Sequence, residues 1–442
     1  MISKKFFPEP PRPQATGRYI VKFAPEIEAA QAQALIADRT GIRALDVREV
    51  GNASLPAPSP NAPEGGIVID RFKVAIIQPQ QDAGARVASL QAEGGVIVRP
   101  EFYLFAISEL ERRYAAWVRE GLSILANGYP GAVTSPAVVA AASMPAATVA
   151  VYADNDRFTW GLQAIGADLT PYGGKGIRVA VLDTGLDFDH PDFNGRRIVS
   201  RSFVPDGSVQ DVQGHGTHTA GTLAGPAASR IGRRYGVAPD VDLYIGKVLD
   251  DRGAGTEGDI IRGMNWAIEE KCAVISMSLG RPTRPDEPHD PLYEEAGLAA
   301  LDEDCLIVAA AGNESGRDYG YIAPIGAPAN SPSIMAVGAV DPKLKVAPFS
   351  CGAVNEDGTT LDIAGPGVSV YSSFPRPRLS RVLQGTSMAC PHVAGVAALL
   401  ACMDPSLRGR RLWEALTAAA RETGSARDHG SGLVQCPQGA GV

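Results

Sequence analysis

The chain has 442 residues, 45% hydrophobic and 20% charged, with a formal net charge of −8. That apolar share excludes a chain disordered throughout, and the length allows two or three domains, or one large domain with an appendage. The acidic balance, with no long basic run, argues against nucleic acid or an anionic membrane as partner.

The N-terminus, MISKKFFPEP, has only a brief apolar run before its prolines. An export signal needs roughly 7–15 apolar residues there. No stretch elsewhere holds the roughly 18 uninterrupted apolar residues of a membrane span. Cytoplasm is the default expectation for location, with an extracellular site as the alternative. Residues 1–17 read as a Pro-rich arm. From Arg18, RYIVKF reads as a strand, PEIEAAQAQALIADR as a helix opened by proline, IRALDVREV as a second strand and GGIVIDRFKVAIIQ as a third. PQQDAGARVASLQAEGG reads as a second helix and VIVRPEFYLFAI as the last strand. The order β-α-β-β-α-β over residues 18–108 predicts a small α+β ferredoxin-like domain. Ser108 opens S-E-L-E, a capping box, so a helix and then a linker are expected over 109–153.

From 154 to 442, apolar β-branched runs alternate with helical stretches; IRVAVLD, VDLYIGKVL, CAVISMSL, CLIVAAAG and SIMAVGAV are the strongest runs. Continuous apolar strands are buried on both faces, which predicts an α/β domain with a parallel sheet sandwiched by helices. The six cysteines (272, 305, 351, 390, 402 and 436) have no C-x-x-C and no metal-ligand spacing, and read as small core residues.

In open α/β sheets, functional groups gather where strands end. IRVAVLD stops at Asp183, GHGTHTAGT sets His215 at the start of a small-residue helix, and CLIVAAAGN ends at Asn313. Ser387, in GTSMACPH, opens a long apolar helix whose N-terminus offers unpaired N–H groups and partial positive charge. That position suits an oxyanion, and it equally suits an ordinary N-cap serine. Together the four supply an acid, a base, an amide donor and a nucleophile. A serine hydroxyl needs a base to take its proton, and imidazole titrates in the right range. A buried carboxylate holds that imidazole in one tautomer, and N–H donors from Asn313 and the Ser387 backbone would hold the developing oxyanion. His215 and His218 also have the spacing of a zinc pair, but H-E-x-x-H and a third ligand are missing, so His218 reads as a structural hydrogen-bonding residue.

DTGLDFDHPDF, GHGTHTAGT, AAAGN and GTSMACPH resemble the four signature segments of the subtilase (subtilisin-like) serine endopeptidases, in the order Asp…His…Ser. The likeness spans about 160–436. It implies Asp183 as the orienting acid, His215 as the general base, Ser387 as the nucleophile and Asn313 as the side-chain oxyanion donor. It further implies that Ser278, Leu279 and Gly280 pair with substrate backbone as an added strand, and that Ala310, Ala311 and Gly312 line the opposite wall of the specificity pocket. Gly326 matches the position that sets pocket depth, which implies a preference for large apolar side chains before the scissile bond. Glu314 nearby adds tolerance for basic residues. No cofactor is implied for the chemistry. Asp192 matches a family calcium ligand, so structural calcium is an expectation, while Asp187 and Asp189 read as exposed turn acids.

The N-terminal domain resembles the family's propeptide, which implies an intramolecular chaperone and inhibitor, cleaved off between about Ser108 and Asp154. The capping-box helix, the lack of a visible export signal and Cys390 in place of threonine depart from the family pattern. The expected activity is hydrolysis of protein or peptide substrates. Two alternatives stay open: a peptide ligase or macrocyclase, where an amine intercepts the acyl-enzyme, and a non-catalytic binding module permanently plugged by its N-terminal unit.

Overall fold

The computed structural model describes residues 13–50, 55–59, 62–80, 84–107, 151–205 and 207–439. Most of the helix and linker expected over 109–153 lies outside the described residues. Strand β1 (Ala15–Phe23) begins inside the expected arm, so Ala15 to Gly17 are strand. Helix α1 (Ala29–Thr40) ends at Gly41, which takes the left-handed φ of 73° that a C-terminal glycine tolerates.

Two strand expectations need correction. IRALDVREV gives only β2 (Ala44–Asp46) before one helical turn at Val47–Val50. Asp46 turns the chain there: its carboxylate accepts from the Arg48 backbone N–H at 2.8 Å and pairs with the Arg48 guanidinium at 2.6 Å. GGIVIDRFKVAIIQ is a hairpin rather than one strand, β3 (Gly65–Ile69) and β4 (Val74–Gln78) about the 3-10 turn Asp70–Phe72. Lys73 closes that turn at φ 49° with its ammonium 2.9 Å from Asp70. Helix α2 (Gly84–Leu90) and β5 (Val96–Ala106) complete the domain. The sheet order is β5-β1-β4-β3-β2, antiparallel except for the short parallel β2–β3 edge. The hairpin supplies the two middle strands of the ferredoxin-like pattern, β1-α1-β3-β4-α2-β5, and β2 is an additional short edge strand.

The larger domain is built on β6 (Arg178–Asp183), β7 (Val199–Ser202), β8 (Asp242–Lys247), β9 (Ala254–Thr256), β10 (Val274–Met277), β11 (Leu279–Gly280), β12 (Leu306–Ala310), β13 (Met335–Val340) and β14 (Ile363–Pro366). Seven of these form one parallel sheet in the order β14-β13-β12-β10-β6-β8-β7. Along β6, Val179 and Val181 join one core while Ala180 and Leu182 join the other, so both faces are dry. Helices α3 (His215–Ala224) and α6 (Thr386–Met403) cover the first face; α4 (Glu257–Glu269) and α5 (Pro291–Asp302) cover the second. Helix α6 has the length and apolarity of a membrane span, but nearly all of it is buried against the sheet. A hairpin, β15 (Val370–Ser373) and β16 (Ser380–Leu383), leads into α6.

The two domains share a core. One face of the N-terminal sheet packs Val21, Phe23, Val68, Ala75 and Ile77 against its own helices. The other face presents Ile20, Ile67, Ile69, Val74 and Ile76 to the core that holds Ile260, Met264 and Tyr293 of α4 and α5. Strand β5 runs on between β9 and β11, pairing antiparallel with both. Beside it, Arg99 pairs with Glu257 at 2.6 Å and with Asp290 at 2.6 Å, while Glu101 accepts the Gly258 N–H at the start of α4 at 2.9 Å. Glu257 is fully buried. Removing one partner of a buried pair strands the other charge. Arg99→Ala is therefore expected to cost about 3 kcal/mol of unfolding free energy, read as a lower denaturant midpoint of the Ser387→Ala background chain; an unchanged midpoint would show that the pair is not holding the domains together.

Candidate active site

The strand β6 ends at Asp183, whose position is fixed by the Thr184 N–H at 2.7 Å and the Thr219 hydroxyl at 3.1 Å. His215 is the first residue of α3, and its Nδ1 lies 2.8 Å and 3.0 Å from the two Asp183 oxygens. Both side chains are buried. Their contact requires Nδ1 to donate, which leaves Nε2 as the basic nitrogen. That Nε2 is buried and has no hydrogen-bond partner among the described residues.

Ser387 lies in the first turn of α6, after Gly385, whose φ of 142° favours glycine. Its hydroxyl donates to the Ser278 carbonyl at 3.2 Å, and no hydrogen bond joins it to His215 here. Asn313 Oδ1 accepts the Thr386 N–H at 2.9 Å and the Thr386 hydroxyl at 3.0 Å, which fixes the amide's orientation. The opposite atom, Nδ2, stands over Gly385, 2.8 Å from where a Cβ would be. The four residues thus come from four different connections on the carboxyl side of the sheet.

Ser278 donates its own hydroxyl to the Ser387 carbonyl at 2.7 Å. Leu279 and Gly280 pair with Ala106 and Phe105 of β5, and Ile107 N–H donates to the Ser278 carbonyl at 3.4 Å. Ile107 is buried, with its Cδ1 3.8 Å from where a Cβ on Gly280 would sit. Opposite, Ala310 ends β12, and the Gly326 N–H bonds the Ala311 carbonyl at 3.0 Å. A Cβ on Gly326 would lie 2.6 Å from the Arg281 carbonyl oxygen, so backbone approach also demands glycine there. A Cβ on Gly312 would run into the Glu314 carboxyl and Cys351. Burial pushes the Glu314 carboxyl up, and it accepts from the Cys351 thiol at 3.1 Å, a poor arrangement for meeting a substrate cation.

Three positioning residues went unread in the sequence: Thr219, Thr386 and Asp211. Asp211 is buried and accepts from the Gly214 and Thr217 N–H groups, each at 2.8 Å, and from the Thr217 and Thr184 hydroxyls at 2.7 Å and 2.9 Å. An acid four residues before the helix start, in D-V-Q-G-H, is the signal that would have found it. Burial holds His218 at about 3, so it stays neutral, and its Nε2 bonds the Val370 and Arg381 carbonyls at 3.1 Å each. Cys390 is buried with its thiol pushed up to about 11, the state of a packing residue.

Asp187 is not an exposed turn acid. It is buried and held by the Arg376 guanidinium at 3.1 Å, and Asp189 shares that arginine at 2.8 Å. Around Asp192 stand the Ser229 hydroxyl at 2.8 Å, the Arg230 N–H at 2.6 Å and the Tyr235 hydroxyl at 2.6 Å. These are donors, where calcium needs converging oxygen acceptors. The residues present at Asp192 do not fit the cation, and no group of three or more His, Cys, Asp or Glu side chains suited to a metal occurs among the described residues.

The model of the subtilase family matches residues 174–441. Subtilisin E of Bacillus subtilis (strain 168) is 40% identical over 265 residues, covering 60% of this chain and 65% of that protein. The subtilisin of Bacillus pumilus is 40% identical over 265 residues, covering 60% of the chain and 90% of the relative. Subtilisin Savinase of Lederbergia lenta is 42% identical over 279 residues, covering 62% and 96%. The chain therefore spans just under two thirds of the length of Subtilisin E and nearly all of the other two.

The Asp192 cluster yields a stability test. Tyr235→Phe removes a hydrogen bond to a carboxylate and is expected to cost about 1.5–3 kcal/mol. The loss, measured by chemical unfolding against the parent chain, should be equal in EDTA and in calcium; a loss that calcium restores would mean that a cation binds at Asp192 after all.

Proposed function

The chain belongs to the subtilase family, and on that premise we propose that it is a serine endopeptidase whose own N-terminal domain is its first substrate. Ser387 attacks a peptide carbonyl once its hydroxyl leaves the Ser278 carbonyl for His215 Nε2, the basic nitrogen that has no other partner among the described residues. Catalytic hydrogen bonds are often loose or misdirected in the absence of a productive substrate. Asp183 holds the imidazole and stabilises it once protonated. Asn313 Nδ2 and the Ser387 N–H receive the oxyanion. His215 then returns the proton to the departing amine, and water releases the acyl-enzyme by the same steps in reverse.

The observation that carries this reading is the path of β5. Its continuation bonds the Ser278 carbonyl through the Ile107 N–H, and that same carbonyl accepts the Ser387 hydroxyl. A strand seated in this way offers the bond after Ile107 to the nucleophile. Strand pairing supplies affinity without sequence preference, and the pocket beyond Gly280 selects the side chain. Ile107 is buried beside Gly280, which supports a preference for large apolar residues before the scissile bond. After cleavage, the paired strand and the shared core keep the N-terminal domain in place as an inhibitor.

Intact-mass analysis tests this. The wild-type chain should separate into fragments split between Ile107 and Ser108, and Ser387→Ala should stay whole; a wild type that stays whole, or splits equally with Ser387→Ala, would contradict self-cleavage. Asn313→Ala should lower kcat by about 10²–10³-fold with little change in KM, a magnitude already established for the corresponding donor of a subtilisin.

A further inference from the structure

The proton that His215 takes from Ser387 must reach the amine that departs, so the chain beyond the scissile bond leaves past the wall that carries His215. That wall is Gly214, the residue before His215, with the Phe374 ring lying against its Cα; a Cβ at Gly214 would collide with the ring. Phe374 belongs to the loop between β15 and β16, the hairpin that leads into Ser387. Two arginines stack on the same ring, Arg381 with its guanidinium carbon 5.2 Å from the centroid and Arg378 at 6.0 Å. The Arg381 carbonyl is itself bonded to His218, one turn along the helix that begins with His215.

The nearby acids are already taken. Asp187 and Asp189 both pair with Arg376, and Asp211 is buried among four donors. Neither Arg378 nor Arg381 has a carboxylate in ion-pair range among the described residues, and Arg378 is exposed. Two guanidinium groups held by an aromatic face, beside the exit from the catalytic centre and without counter-ions, suit a carboxylate brought by a ligand. The sequence that follows Ile107 is Ser-Glu-Leu-Glu, residues 108–111, which carries acids at the second and fourth places after the bond assigned to self-cleavage.

We propose that Arg378 and Arg381, seated on Phe374, form a leaving-side subsite that selects substrates with acidic side chains within four residues after the scissile bond. The inference rests on the protease reading above and adds the substrate class. Both arginines act on binding the departing segment and touch no reacting atom. Because the subsite is open to solvent, its selectivity depends on ionic strength.

The test uses three internally quenched peptides that share Leu-Phe-Ala-Ile before the bond and carry Ser-Glu-Leu-Glu, Ser-Gln-Leu-Gln or Ser-Lys-Leu-Lys after it. With the purified, self-processed chain cleared of its N-terminal domain, at low salt, kcat/KM should be about fivefold higher for the Glu peptide than for the Gln peptide. It should be lower again for the Lys peptide, and the spread should narrow at 0.5 M NaCl. The paired change Arg378→Ala with Arg381→Ala should bring the Glu-to-Gln ratio close to one, and Arg378→Glu with Arg381→Glu should invert the order to favour lysine. The inversion is a gain that damaged folding cannot mimic. Peptides cleaved at equal rates by the wild type, or a preference for Glu that survives both paired changes, would overturn the subsite while leaving the protease reading intact. Failure to cleave any of the three after the N-terminal domain has been digested away would remove the protease reading, and the subsite with it.

Discussion

A parallel sheet dry on both faces keeps most polar side chains at its ends, and β6, β12 and β13 follow that constraint here. Val179, Ala180, Val181 and Leu182 are apolar on alternating faces, and the first polar residue after them is Asp183. Asn313 stands just beyond β12 in the same way. The helices that cover one face then bring their N-termini to that edge, α3 with His215 and α6 with Ser387. Helix N-termini add unpaired N–H groups and partial positive charge where an oxyanion would form. The acid, base, donor and nucleophile therefore meet because of how the core is packed, although 204 positions separate Asp183 from Ser387 along the chain (387 less 183).

The N-terminal domain follows from a second form of the same rule. An antiparallel sheet ordinarily leaves one face to water, but Ile20, Ile67, Ile69, Val74 and Ile76 make its second face apolar. That face needs a cover, and α4 and α5 provide it. Burial there and the ion pairs of Arg99 set β5 against β9 and β11, so the domain's fit to the helices and the strand's entry into the cleft are one arrangement. The cleft also has two unlike sides. One is backbone that pairs with β5, and the other, by the subsite proposed above, is the Phe374 ring bearing guanidinium groups against Gly214.

Most of the larger domain was legible because its signals are local. Buried strands are unbroken apolar runs, and the residues at their ends sit in short motifs. Gly214 and Gly385 lie within those motifs because the backbone there takes φ 102° and 142°. What escaped depends on distant partners or on turns without the usual residues. Asp187 reads as a turn acid until Arg376, 189 residues away, is found against it. The chain folds back at Asp70–Phe72 with neither glycine nor proline, so two strands looked like one. The Asp192 position matched a calcium ligand by its neighbours in sequence, while the donors that occupy it, Ser229 and Tyr235, come from a loop with no such likeness. That β5 would leave its own sheet's edge to enter another domain is written in no local pattern, since an added strand alternates as any strand does.

All of this turns on Ser387 being a hydroxyl made nucleophilic by the imidazole of His215. Labelling the self-processed chain, cleared of its N-terminal domain, with a fluorophosphonate and mapping the adduct by peptide mass spectrometry addresses that directly. One adduct on Ser387 is predicted, with a labelling rate that collapses in His215→Ala that has been cut at the same bond by a trace of wild type and cleared of its N-terminal domain in the same way. No adduct on Ser387, or one that forms as fast without the imidazole, would contradict it.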